Sequence, residues 1–237
     1  MVLDPARQPG ETGRPVSAKD QGMTEAPSAR TEVKRYNWLA KYDAETIHAI
    51  LDAMPHCHVG YVHEGKPVVT PTMQWRDGDR IFWHGSSASR MIRTAEKHDV
   101  CVCVSLIDGL VLARSAYNYN LNHRSVMVFG VAEKLTDPDE KRHQLANFVN
   151  KVIPGQWDRL RPVTEQELKA TTVLSMSITE ASAKVRTGHT EDDEADYDFP
   201  VWAGLVPVRL VADPPIADPR NLPGVEMPDD VLKFRIG

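Results

Sequence analysis

From about residue 57 to 135 the chain alternates apolar and polar side chains in period two, breaks at short Asp- and Gly-rich turns, and takes helical spacing in one inserted stretch. Such alternation puts successive side chains on opposite faces of a strand, and tight turns join neighbours antiparallel. Several meandering strands around one helix predict a small antiparallel barrel, not a parallel βαβ sheet. Strands 57–62 and 67–76 flank the turn His63-Glu64-Gly65-Lys66, and Asp77-Gly78-Asp79 returns the chain into 80–84, which Gly85 ends. Thr70, Thr72 and Gln74 line one face of the second strand, and Val69, Pro71, Met73 and Trp75 the other. Further strands are predicted at 100–107 and 110–116, on either side of an Asp108-Gly109 turn, at 124–135, at 171–179 with 183–186 as an extension, and at 201–211.

Helices frame this run. Asp43 caps one through Ala53, with Ile47, Ile50, Leu51 and Met54 as its apolar stripe. A second is predicted over 87–98, and a third opens at Asp137-Pro138-Asp139-Glu140 with Leu145, Phe148, Val149 and Val152 on its core face. Thr164 and Glu167 have the spacing of a capping box for a short fourth.

With 237 residues the chain can bury a sizeable core, and its net charge of −5 carries no basic stripe of the kind nucleic acid needs. Residues 1–30 have almost no large apolar side chains and read as a disordered tail, 31–211 as the barrel domain, and 212–237 as a proline-rich extension. No apolar signal core opens the chain, and the longest apolar run is interrupted by Ser105, Asp108 and Gly109. No membrane-spanning segment and a cytoplasmic location are therefore expected. Cys57, Cys101 and Cys103 have no zinc-site spacing and read as buried, reduced thiols. His56 and His58 would share one strand face, as a metal site can use, but no third ligand follows, and no metal is assigned.

One stretch can carry chemistry. Ser86, Ser87 and Ser89 fall where the second helix begins, and Arg90 and Arg93 add charge beside its free N–H groups, so an anion such as phosphate is the natural guest. Helix-capping serines with solvated arginines explain the same residues, and both readings stand at this point.

In order and spacing, residues 44–208 resemble the flavin-binding split-barrel superfamily of pyridoxamine 5′-phosphate oxidase, within it the branch of the nitroimidazole resistance proteins. The resemblance rests on Val69-Thr70-Pro71-Thr72, Phe82-Trp83-His84-Gly85-Ser86, a basic helix, a Val-Cys-Val strand, Arg124 to Gly130 leading into Asp137-x-x-Glu140-Lys141, Lys184-Val185-Arg186-Thr187-Gly188, and Trp202-Ala203-Gly204. It implies a mainly β protein with flanking helices: an antiparallel, Greek-key-like split β-barrel, homodimeric, with FMN at the interface. It further implies that Val69, Thr70, Pro71 and Thr72 lie along the flavin ring and that His84, Gly85, Ser86, Ser89 and Arg90 hold the ribityl phosphate. Asn118, Asn120, Lys184, Arg186 and Trp202 are further cofactor contacts, although Lys184 also reads as surface and Trp202 as core.

The implied activity is that of an FMN-dependent oxidoreductase on a small aromatic, nitro or heterocyclic substrate, with His84 as proton donor. A structural His84, packed on Trp83 or bonded to a backbone carbonyl, is the other reading. Pyridoxamine phosphate oxidation is not expected, because the basic cluster for a second phosphate is missing. The alternatives are a non-catalytic flavin- or haem-binding protein of this fold, with His56, His58, His63 and His84 as possible axial ligands, and a deazaflavin-dependent reductase.

Overall fold

The computed structural model describes residues 25–237. Its strands are β1 (Ala40–Lys41), β2 (His56–His63), β3 (Lys66–Asp77), β4 (Arg80–Ser86), β5 (Asp99–Leu112), β6 (Asn120–Val131), β7 (Glu133–Lys134), β8 (Thr171–Ser177), β9 (Ala181–Arg186) and β10 (Gly204–Pro207). The α-helices are α1 (Ala44–Ala53), α2 (Arg90–Ala95), α3 (Pro138–Val152), α4 (Glu165–Ala170) and α5 (Asp229–Leu232). Of the tail expected over 1–30, residues 1–24 lie outside the described residues, whereas Arg30 pairs with Asp99 and Glu180.

Local turn chemistry fixes the register. Glu64 and Gly65 both take positive φ (50° and 73°), the two-residue turn whose twist suits a hairpin, and β2 pairs with β3 from His63↔Lys66 to His56↔Met73. Strand order is β1-β9-β6-β5-β2-β3-β4-β8-β7, with β10 also on β5, and every pairing is antiparallel. The strand β3 changes sides along its length: residues 66–73 pair with β2, and only Gln74 to Asp77 pair with β4. This divergence splits the barrel.

The barrel interior holds Val59, Tyr61, Ile81, Trp83, Val102, Val104, Val126, Val128, Leu174 and Met176, closed by Ile47, Ile50 and Leu51 from α1 and Met91 and Ile92 from α2. Asp43 caps α1 through the Thr46 N–H, as the sequence predicts, and Thr164 with Glu167 forms the capping box of α4. A second cluster lies on the opposite face of the sheet, where Trp75, Phe82 and Val173 pack under Leu145 and Phe148 of α3. Both faces of β8 are therefore buried, which its period-two pattern alone does not reveal.

Several boundaries differ from the sequence expectation. Asp108-Gly109 is a bulge inside one long β5, not a turn. A Cβ at Gly109 would meet Leu205 at 2.9 Å and the Val206 carbonyl at 3.1 Å, so glycine serves the close approach of β10. Gly85 continues β4 instead of ending it, pairing with Thr172, and the helix over 87–98 contracts to the six residues of α2. A reversal at 178–180 separates β9 from β8, and the strand over 201–211 shrinks to β10. Cys57 is buried, its thiol pushed up to about 12 by desolvation, but Cys101 and Cys103 are half-buried, because β5 turns Val100, Val102 and Val104 inward and its cysteines outward.

Candidate functional site

The alternation in β3 faces the opposite way from a simple apolar-inside strand. Thr70, Thr72 and Gln74 lie on the barrel side: Thr70 hydroxyl meets the Tyr61 hydroxyl at 3.2 Å, and Gln74 Nε2 donates to the carbonyls of Leu51 (2.6 Å) and Met54 (2.7 Å). Val69, Pro71 and Met73 consequently face solvent, beside His56 and His58 of β2. Because β4 leaves β3 beyond the Gln74↔Trp83 pair, the second edge of residues 66–73 has no strand partner among the described residues. An opening therefore lies between Val69-Thr70-Pro71-Thr72 and the end of β4 at His84, Gly85 and Ser86.

The far wall is built by a close helix approach. A Cβ on Gly85 would sit 3.1 Å from Ile92 Cγ1, so the missing side chain lets α2 lie against β4. The turn between them is tightly bonded: Ser87 N–H donates to Ala170 O (2.9 Å), Ser89 N–H to Ser86 O (2.8 Å), and Ala88 N–H to Ser86 Oγ (3.2 Å). The Ser89 side chain makes no cap bond. Arg90 and Arg93 are exposed and form no ion pair among the described residues; Arg93 Nε donates to Ser87 O at 3.1 Å. With only six residues in α2, the guanidinium groups carry more of the attraction for an anion than the helix dipole does.

His84 lies on the α3 side of β4. Its ring centroid is 4.9 Å from that of Phe148 and 5.9 Å from that of Trp75, and not packed on Trp83, which points into the barrel. Nδ1 is buried without a hydrogen-bond partner, and burial pulls the imidazole pKa below its usual value. Next to it, Trp75 Nε1 donates to Gln144 Oε1 at 3.1 Å.

The remaining expected residues gather elsewhere. Asn118 Nδ2 approaches Asp192 at 3.5 Å, Asn120 caps the Leu121 N–H, Arg186 donates to Asn122 Oδ1 at 2.6 Å, and Lys184 Nζ sits 5.4 Å from the Tyr36 ring centre. Trp202 is 70 % exposed, not core, its ring against the backbone of Gly204. In strand order β9, with Lys184 and Arg186, stands four steps from β3, while β6, with Asn120, stands three steps away, and β10, just after Trp202, pairs with β5. One chain thus carries two separate groups, the opening at β3 and β4 and the patch around β9 and the β5–β6 connection. Sequence reasoning missed Phe148 and Trp75 as neighbours of His84 and the clamp of Arg114 on Asp192 (2.9 Å); the helical stripe holding Phe148 was the available signal.

On the outer face, His56 and His58 stand 4.9 Å apart, ring centre to ring centre, and neither ring makes a hydrogen bond among the described residues. No group of three or more metal-binding side chains occurs among the described residues, nor does any helix long and apolar enough to cross a membrane.

A family profile described as pyridoxamine 5′-phosphate oxidase matches residues 43–185, and the chain belongs to that family. The structure is similar to that of the flavocytochrome Anf3 from Azotobacter vinelandii, with 60% identity, TM-score 0.88, and coverage of 90% of this chain and 100% of that one. It is also similar to a FAD and haem binding protein from Mycobacterium smegmatis, at 31% identity and TM-score 0.79 over 83% of this chain and 97% of that one. A candidate 5-nitroimidazole antibiotic resistance protein from Bacteroides thetaiotaomicron shares the fold at 23% identity and TM-score 0.52, covering 62% of this chain and 86% of that one. A search of curated proteins returns no match.

Proposed function

We propose that this chain is a homodimeric cytoplasmic redox protein that holds a flavin nucleotide, FMN or FAD, in the opening between β3 and β4 and carries a haem on its outer face. The unpaired edge of residues 66–73, facing a turn with two uncompensated arginines, is the observation that carries the reading. A flavin ring has N–H and C=O groups along its edge, which the free backbone of Val69 to Thr72 can bond, and its phosphate suits Ser86, Ser89, Arg90 and Arg93. Once bound, the flavin supplies hydride or single-electron transfer.

The second group, Asn118, Asn120, Lys184, Arg186 and Trp202, stands on or beside other strands than β3 and β4. A two-fold dimer supplies it from the second copy. Support for the haem comes from the similarity to a flavocytochrome and to a FAD and haem binding protein, and from His56 and His58, two imidazoles without hydrogen bonds on an apolar surface beside Pro71 and Met73.

His84 favours a second reading, turnover of a small aromatic, nitro or heterocyclic substrate. With Nδ1 buried and unpartnered, the less costly tautomer leaves a lone pair there and the proton on Nε2, so His84 acts as a neutral N–H donor that orients a carbonyl or nitro oxygen. The test of the site is a flavin titration followed by fluorescence quenching. The paired substitution Arg90→Glu and Arg93→Glu is expected to weaken binding by about 100-fold with the fold intact. Unchanged affinity would place the phosphate elsewhere.

A further inference from the structure

From Val208 to Met227 the chain forms neither helix nor strand, yet it is fastened at both ends. Val208 N–H donates to Asp108 O at 3.1 Å just past β10. Beyond Met227, Arg159 binds Asp230 at 3.0 Å, and Gly237 N–H donates to Ala53 O at 3.0 Å. Two turns shape the stretch between, Asn221 N–H to Asp218 O (3.1 Å) and Val225 N–H to Leu222 O (3.2 Å), the second with Gly224 at φ 83°. Pro214, Pro215, Pro219 and Pro223 further restrict the backbone. On this frame Ile216 is 96% exposed, Val211 and Leu222 each 74%, Val225 63% and Met227 48%. A constrained backbone that holds apolar side chains in water has placed them for another surface.

The same molecule offers that surface. Val62, Val69, Met73, Ile107 and Met127 stand exposed on the outer face of β2, β3, β5 and β6. We propose that residues 208–227 of one copy lie over the outer face of β2, β3 and β5 in a second copy, covering the haem proposed at His56 and His58, and close its β3–β4 opening from outside. In a two-fold dimer each copy contributes both surfaces. At on the order of 80 Å² of apolar surface per side chain, the residues named reach the ~800 Å² per partner of a stable interface.

This inference rests on the homodimer reading above, and one experiment separates the two. The full chain is made with a photoreactive benzoylphenylalanine replacing Leu222, an exposed position outside the proposed cofactor contacts, its mass in solution is measured by light scattering, and it is irradiated. The expected product is a covalent dimer whose crosslink maps to residues 56–62, 66–73 or 101–107. A dimer whose crosslink falls within its own chain, or on another face, overturns the arm and leaves the homodimer standing. A monomer in solution overturns both. As a second measurement, Leu222→Asp with Val225→Asp is expected to weaken dimerisation by at least about tenfold and to speed flavin loss without lowering helix and strand content. Unchanged dimer affinity contradicts the arm.

Discussion

A histidine in an aromatic cluster and a glutamine bonded to an indole dominate the site at the scale of single residues. Burial lowers the His84 pKa, so folding works against its protonation. The folded state then binds this proton less readily than the unfolded chain, whose histidine titrates near 6.5. His84 therefore favours the fold above that pH and disfavours it increasingly as pH falls below it. A chemical-denaturation series from pH 8 to pH 5 is expected to show a fall in stability that His84→Phe reduces; identical profiles would mean that His84 does not gain its proton on unfolding. In turnover assays His84→Ala is expected to lose activity while keeping bound flavin, and loss of the flavin itself would make the residue a cofactor ligand. Gln144 is 3% exposed and bonds the Trp75 indole, so Gln144→Leu leaves a buried N–H unpaired. An unfolding titration is expected to show a loss of about 1–3 kcal/mol, and no loss would mean that the indole finds another acceptor.

Among the elements, the contact of α2 with β4 shapes the opening. Gly85→Ala puts a methyl group 3.1 Å from Cγ1 of the buried Ile92, which must give by a few tenths of an ångström. Overpacking of this kind costs about 1–3 kcal/mol, and here it also pushes Ser89 and Arg90 away from β3. Weaker flavin binding from Gly85→Ala, partly restored by Ile92→Val, is the expected outcome of a titration on both variants. Wild-type affinity in Gly85→Ala would show that the helix position does not matter to the cofactor. What the sequence makes legible at this scale is what depends on local chemistry: the Asp43 cap, the Thr164 and Glu167 box, the Glu64-Gly65 hairpin, and the face shared by His56 and His58. What it conceals depends on partners distant in the chain. Asp108-Gly109 looks like a turn until β10 lies beside it, and nothing in the strand over 171–179 shows that its second face is covered until Leu145 and Phe148 of α3 pack on Val173. Thr70 and Gln74 read only as a polar strand face, and which way it points is decided by Tyr61 and the carbonyls ending α1, which satisfy them inside the barrel.

Over the whole molecule, the residues that the sequence nominates for one cofactor fall into two groups on different strands. Val69 to Thr72 and His84 to Arg90 flank the point where β3 and β4 part, while Asn120 is on β6, Lys184 and Arg186 are on β9, Asn118 lies between β5 and β6, and Trp202 just precedes β10. Motif order along a chain does not record which copy supplies a residue to a site. The exposed apolar face of β2 and β3, the unpaired edge of β3 and the outward-turned arm over 208–227 all have partners if two copies close around the cofactors. The visible absorption spectrum of the purified protein, recorded before and after reduction, tests this account most directly. An oxidised-flavin band that bleaches, together with a Soret band that shifts and is lost in the double variant His56→Ala and His58→Ala, is the predicted result. A protein that stays colourless when flavin and haem are supplied would contradict it.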